Sequence, residues 1–448
     1  MNAEQNYRQA LALAPDDVVA LANLGLLLAS AQRLEEAERL QRAALALLPH
    51  NAKLHANLAN LLAELGRDAQ SEHHHQRSLQ LDPLAAISWS NLGVFLATRG
   101  HEARAEACLR RALDLQRDHA RARYNLAYLL LRQGRLREGW RQHEARYAPN
   151  LPAPGSLPPA LPFPQWRGQD LAGKSLLIWP EQGLGDEIQF CRYAPLLKAR
   201  GATTVTWVCR EPLRRLLGTL AGVDQVLSVE RAQAGVAMHD YWSFALSLPL
   251  HCNTLPGRVP ATIPYLHPSA TRQRLPEQHG LRVGLVWRGN PHNPCDADRS
   301  LPALSTLRPL WSIDGVSFVS LQKGAGTAEA AAAPAEMPLL EMGSRLCDFA
   351  DSASLLAQLD LLISVDTAVA HLAGAMGKPC WLLLPAYMPD WRWLSEGEQS
   401  PWYPCSHRLF RQPRRGDWTS VVERLVGALA ELAQRPAPAL EAIGEMLK

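Results

Sequence analysis

No apolar run in this 448-residue chain approaches the ~18 residues that a membrane-spanning helix needs. The N-terminus opens inside a helical pattern containing Glu4, Arg8 and Asp16 and lacks the apolar core of a secretion signal. The eight cysteines are scattered without a C-x-x-C pair, so neither a zinc framework nor a disulfide scaffold is indicated. A reducing, cytoplasmic setting is the expectation that fits. An excess of one charge is also missing. Residues 1–150 carry 19 basic and 16 acidic side chains, and the remainder carries 27 of each. That is too little for a nucleic-acid footprint, so no nucleic-acid partner is expected. Lysine is rare, 6 against 40 arginines, a bias that reads as genome composition. At this length two or three domains are expected.

What is present first is a period. Asn23, Asn57, Asn91 and Asn125 stand 34 residues apart, each followed by leucine. Pro15, Pro49 and Pro83 keep the same phase, as do Gly66, Gly100 and Gly134, and Leu11, Leu45, Leu79 and Leu113. A 34-residue period with N-L-G or N-L-A on one helix is the signature of the tetratricopeptide repeat. Residues 3–14 read as the second helix of a truncated repeat. Full repeats follow near 17–50, 51–84 and 85–118, and a fourth starts at Asp118 and closes with a helix around Leu136–Tyr147. Stacked helix pairs share one continuous core and offer a concave face. The asparagines can be read in two ways. A carboxamide pairs with both N–H and C=O of an extended peptide, so four of them form an acceptor-peptide ladder. Alternatively, asparagine is merely tolerated there. His73, His74 and His75 are consecutive on a helix and point in three directions, so they are not expected to share a metal ion.

Seven prolines lie between Pro149 and Pro164. They exclude helix and mark a boundary running extended over the surface. Gly168–Ser175 matches G-x-x-x-x-G-K-[ST] letter for letter, but a phosphate loop must follow a strand and open a helix. Here prolines precede it and an apolar strand follows, so the match is rejected. Beyond it, strands are expected at 175–179, 204–208, 226–229, 282–287, 317–322, 361–365 and 380–384, mostly separated by helical stretches. That alternation predicts parallel α/β sheets, in two domains splitting near 264–279.

Ligands of open α/β sheets bind beyond the carboxyl ends of strands. Three such ends carry polar chemistry. The first is Glu181-Gln182-Gly183-Leu184-Gly185-Asp186, where Gly183 and Gly185 permit a tight turn and Asp186 opens a helix. The second is Gln322-Lys323-Gly324. The third is Asp366-Thr367-Ala368 with His371 one turn on, a helix start that favours a phosphate group. For Asp186 and Asp366 the alternative role is helix capping.

The second half resembles bacterial glycosyltransferases of the heptosyltransferase type, with the GT-B fold. The stretches that carry the resemblance are EQGLGDEIQFCRYAPLL at 181–197, LVWRGNP at 285–291, SLQKG at 320–324, SVDTAVAHLAGAMGKP at 364–379 and DWRWL at 390–394. With the repeats, the whole plan is similar to that of O-GlcNAc transferases. The resemblance implies an α + α/β multidomain chain: a solenoid over 1–148, a proline-rich linker over 149–170, an acceptor-side Rossmann-like domain over 171–270, and a donor-binding one over 271–448. It implies transfer of a sugar from a nucleotide-sugar co-substrate, without a resident cofactor or metal, to a polypeptide held on the concave face. Asp186 would be the general base. Arg299, Gln322, Lys323, Asp366, Thr367, Ala368 and His371 would hold the donor. Asp296-Ala297-Asp298, a pattern that binds metal in another glycosyltransferase fold, is not expected to do so here. A glycan or lipid acceptor, and a scaffold with an inactive α/β half, are the alternatives.

Overall fold

The computed structural model describes residues 3–151, 157–255, 257–260, 262–269 and 273–434. The chain forms two compact units, Met1–Leu129 with Gln142–Ala153, and Leu130–Arg141 with Pro154–Lys448. Among the described residues no helix is long and apolar enough to cross a membrane.

The first unit is built from helix pairs. Its helices are α1 (Ala3–Leu13), α2 (Val18–Ser30), α3 (Leu34–Leu47), α4 (Ala52–Glu64), α5 (Asp68–Leu81), α6 (Ala86–Thr98) and α7 (Glu102–Leu115), followed by α8 (Ala120–Arg132) and α9 (Leu136–His143), which straddle the two units. The repeat boundaries fall where the period predicts. Leu24, Leu58, Leu92 and Leu126 are all buried. Small residues recur where paired helices cross, because larger ones would not fit. A Cβ on Gly25 would come within 2.7 Å of the Gln41 side chain, and one on Gly93 within 2.7 Å of Leu109. The turn between paired helices needs a left-handed residue. Gly66 and Gly100 supply it at φ 72° and 78°, whereas the first full repeat places Gln32 there at φ 61°. Asp17 and Asn51 cap α2 and α4 by accepting two backbone N–H groups each, while the equivalent Ala85 leaves α6 uncapped. The three consecutive histidines diverge as expected. His73 is exposed, His74 Nδ1 lies 2.9 Å from His55 Nδ1, and His75 is buried against Phe95.

The second unit holds two parallel sheets. The first contains β1 (Ser175–Trp179), β2 (Thr204–Cys209), β3 (Gln225–Ser228) and β4 (Tyr241–Phe244), in the order β3-β2-β1-β4. The second contains β5 (Leu281–Val286), β6 (Val316–Ser320), β7 (Leu339–Glu341), β8 (Leu361–Val365), β9 (Cys380–Leu384) and β10 (His407–Arg411), in the order β10-β9-β8-β5-β6-β7. Both follow the doubly wound order, with all strands parallel and the order of strand addition reversing between β1 and β4 and between β5 and β8. The seven strands read from the sequence are present; β4, β7 and β10 were not foreseen. The proline-rich segment ends by joining the first sheet rather than merely crossing the surface. Trp166 N donates to Trp242 O at 2.6 Å, Trp242 N donates to Pro164 O at 3.0 Å, and the Trp166 side chain is fully buried. The residues that imitate a phosphate loop form turns that lead into β1, with no helix after them.

Candidate functional site

After β1 the chain turns through Gln182, at φ 55°, into the helix Leu184–Phe190. Asp186 closes that turn, its Oδ2 accepting from Gly183 N at 2.8 Å. Gly185 allows close contact with the helix Ala368–Ala375 that follows β8. A Cβ there would lie 2.7 Å from His371 Cδ2 and 3.5 Å from the Ala368 Cα. The carboxyl ends of β1 and β8, one from each sheet, are therefore brought together through a residue with no side chain.

The other oxygen of Asp186 accepts from the Arg392 guanidinium. Arg392 is buried, chelates Asp390 at 2.9 and 3.0 Å, and also donates to Gln189 Oε1. Burial pushes the Asp186 carboxyl upward, and the Arg392 charge opposes that shift. Asp366, at the end of β8, is pushed up to about 6 by burial and by the neighbouring Asp390 carboxylate, against the pull of Arg299 and Arg392. His371 stacks on Trp393 with ring centroids 5.2 Å apart, and its Nδ1 lies 3.0 Å from Tyr403 Oη. Burial, followed by the charge of Arg392, drives its protonation far below the ordinary histidine range. The 3.9 Å approach of His371 Nε2 to Asp366 Oδ1 is thus that of a neutral ring beside a carboxyl, not an ion pair. Thr367 Oγ1 lies 3.0 Å from Ser364 Oγ, and Thr367 O accepts from the N–H groups of Ala370 and His371. No hydrogen bond engages the first amides of that helix, at Ala368 and Val369, among the described residues.

Arg299 ends the short helix Asp296–Arg299 and bonds Asp296 Oδ1 at 3.2 Å. Its guanidinium fills the space left by Gly289, where a Cβ would come within 2.6 Å of it. It is close enough to shift the protonation of both Asp366 and His371.

Asp186, Arg299, Asp366, Thr367, Ala368 and His371 therefore gather around one cleft, with Gly185 at the contact of its walls. Gln322 and Lys323 stand differently. Gln322 is buried, and its carboxamide is fully engaged: Oε1 accepts from Trp287 N and Arg288 N at 3.0 and 2.9 Å, and Nε2 donates to Ala325 O at 2.7 Å and Arg288 O at 3.1 Å. Expected as a donor contact, it has no polar atom to spare and instead braces the loops after β5 and β6. The Lys323 ammonium donates to Leu346 O. Glu187, the carboxylate beside Asp186, is turned away and paired with Arg210, while burial pushes it up to about 7. The aspartates of Asp296-Ala297-Asp298 diverge, the first to Arg299 and Ser300, the second to Arg415 at 2.6 and 2.9 Å.

Arg392, Asp390 and Tyr403 were missed by reasoning on the sequence. The DWRWL stretch was the signal for the first two, but nothing in one chain's sequence ties Arg392 to an aspartate 206 positions earlier. In the first unit Asn23, Asn57, Asn91 and Asn125 occupy the same point of α2, α4, α6 and α8 and are half-buried. No side-chain hydrogen bond engages any of these four carboxamides among the described residues.

Chemically, the cleft combines a buried carboxyl held against a guanidinium, a second carboxyl poised near neutrality, a neutral imidazole, and a cation beside a helix start. Such a set can accept a proton and steady an oxyanion.

The Tetratricopeptide repeat family matches residues 1–52 and 99–153. Protein FlbA of Caulobacter vibrioides is 32% identical over 346 residues, which cover 70% of this chain and 56% of FlbA. The chain thus spans about half the length of that curated relative. Among solved structures, PilW, a type IV pilus biogenesis factor, is 26% identical over 32% of this chain and 70% of its own, with a TM-score of 0.29. YrrB, a repeat protein with an unusual peptide-binding site, is 22% identical over 31% of this chain and 72% of its own, with a TM-score of 0.27.

Proposed function

We propose that this chain is a glycosyltransferase that moves a sugar from a nucleotide-sugar donor to a polypeptide laid along the helical repeats. The observation that carries the reading is the meeting of Asp186 with Asp366, His371 and Arg299 where the carboxyl ends of β1 and β8 converge. In this reading Asp186 takes the proton of the acceptor hydroxyl. The bond between the sugar carbon and the donor phosphate oxygen breaks as the bond to the acceptor oxygen forms. The charge left on the diphosphate falls to Arg299 and the free amides at the start of the helix Ala368–Ala375. Asp366, pushed up to about 6, accepts from a sugar hydroxyl when ionised and donates to one when protonated. The unengaged asparagines at one repeat position supply paired donors and acceptors for a peptide backbone irrespective of its sequence.

One observation favours a second reading, that of a binding scaffold without turnover. Both oxygens of Asp186 are already engaged, by Gly183 N and by Arg392. A base must therefore work through a remaining lone pair or after Arg392 has shifted.

The test is thermal protection of the full chain by nucleoside diphosphates and nucleotide sugars, followed by mass analysis of co-purified proteins incubated with the protecting donor. A ligand at 100 times its dissociation constant adds about 2.7 kcal/mol of stability. Asp366→Ala is expected to abolish protection while leaving the ligand-free melt close to wild type. Protection without any mass shift selects the scaffold reading. Should no nucleotide or nucleotide sugar protect the wild type, the transferase reading fails.

A further inference from the structure

A cavity of about 250 Å³ lies in the second unit and is lined by none of the residues assigned to the cleft between β1 and β8. Trp140, Leu250 and Thr254 line it together with Arg137, Arg141 and Asn253. The two arginines are four residues apart on α9, so they share one helix face. Like charges at that spacing repel, and a fold normally offsets them with a carboxylate. None does so here: neither Arg137 nor Arg141 has a hydrogen-bonding or ion-pair partner among the described residues. Glu138, the acidic residue between them, is drawn off to Arg135 at 2.8 Å. Elsewhere the unit pairs its arginines readily, as Arg210 with Glu187, Arg215 with Asp348, and Arg415 with Asp298.

The opposite wall adds a polar group. Asn253 is exposed in a left-handed turn at φ 54°, held by its N–H bonding Leu250 O at 3.2 Å. Its carboxamide is unengaged, whereas the neighbouring Thr254 hydroxyl is already 2.6 Å from Tyr193 Oη. Two free guanidinium groups and one free carboxamide therefore border a hollow whose other lining residues, Trp140, Pro249, Leu250 and Thr254, include no acid. Guanidinium groups suit the planar, multiple-acceptor geometry of carboxylates and phosphates.

We propose that this cavity is an oxyanion-binding site separate from the nucleotide-sugar cleft, taking a phosphate or carboxylate group carried on a small body. The site does not depend on the transferase reading, since it uses none of the residues assigned to it. A free phosphate and an acidic side chain of a bound polypeptide present the same chemistry, and the experiment separates these sources.

The experiment uses the full chain at constant ionic strength, with chloride replaced stepwise by inorganic phosphate, and in parallel with a glutamate-rich peptide. Two readouts are taken: the binding isotherm and amide hydrogen exchange across residues 249–254. Wild type is expected to bind in the millimolar range, with slower exchange in that loop and weaker binding as salt rises. Arg137→Gln and Arg141→Gln change exposed side chains and should leave the melting temperature unchanged. Each should weaken binding about tenfold, equivalent to about 1.4 kcal/mol. Phosphate binding at the cleft would survive both variants without protecting 249–254, so the loop readout distinguishes the two sites. Protection by the peptide alone assigns the site to a polypeptide acid, and protection by both ligands assigns it to the oxyanion itself. If neither ligand slows exchange in 249–254, or if both variants protect the loop as well as wild type does, the proposal is overturned.

Discussion

His75 makes the repeat unit sensitive to acid. It sits on α5 at 1% exposure, packs against Phe95 with ring centroids 5.4 Å apart, and neither ring nitrogen has a hydrogen-bond partner. Burial lowers its protonation from 6.5 to about 4. Because the folded value lies below the unfolded one, the unfolded chain takes up the proton first. The stabilisation is complete above pH 6.5, is lost as pH falls from there toward 4, and is flat below that. A gap of this size corresponds to about 3 kcal/mol in total, of which about 2 kcal/mol is lost by about pH 5. His74, also lowered to about 4, is more exposed and shares its Nδ1 with His55, so its share is smaller. His75→Leu keeps the volume and removes the titration. The assay is urea unfolding followed by circular dichroism, wild type against variant, at about pH 7.5 and about pH 5. The other buried histidines, His371 and His407, cancel in the difference. We expect the variant to gain about 2 kcal/mol on wild type between the two conditions. A difference that does not move with pH refutes the reasoning, because it means the imidazole finds a proton acceptor or water when charged.

Three further outcomes are expected. Gly185→Ala forces a methyl toward His371 and Ala368, so it should cost about 1–3 kcal/mol by overpacking and weaken nucleotide protection, read by melting with and without ligand. Gln32→Gly relieves a left-handed residue at φ 61° and should raise the stability of the repeat unit by about 0.5–1 kcal/mol; no gain in urea midpoint would show that the Gln32 side chain contributes in some other way. Asn57→Ala with Asn91→Ala should reduce modification of protein acceptors while donor protection stays at the wild-type level. Equal acceptor modification would leave the asparagines with no part in peptide binding.

The repeats were legible because their signal is redundant: leucine, glycine, proline and asparagine each report the same phase. The sheets were legible where strands are central and continuously apolar, as in β1, β8 and β9. The strands that escaped, β4, β7 and β10, all lie at sheet edges. β7 is three residues long with none fully buried, and β10 has only two apolar residues, flanked by histidine and arginines, as HRLFR. An edge strand needs only one covered side, so it need not be written in β-branched or aliphatic residues. Asp186 and Asp366 stood out in the sequence because they follow strand ends, and both strands, β1 and β8, lie where the order of strand addition reverses. Arg392 and Tyr403 were not, since their roles depend on distant partners. Gln322 was misread for a related reason, as its type fits a ligand contact and only its bonds to Trp287, Arg288 and Ala325 reveal a brace.

Trp140 bears on how such a chain can be assembled from parts. It is 1% exposed, edge-on to Trp391 at 5.2 Å and to Phe190 and Trp402 at 6.4 and 6.2 Å, all within the second unit. A gene segment starting at the prolines after Pro149 would encode both sheets but not this indole, and would leave three aromatic rings facing water. Recombination that exchanges one repeat array for another is therefore poorly served by the proline-rich stretch, despite its look of a natural joint. The tolerant breakpoint lies upstream, in the turn at 116–119 between α7 and α8. Repeats can be gained or lost there while the last helical hairpin is inherited with the α/β half.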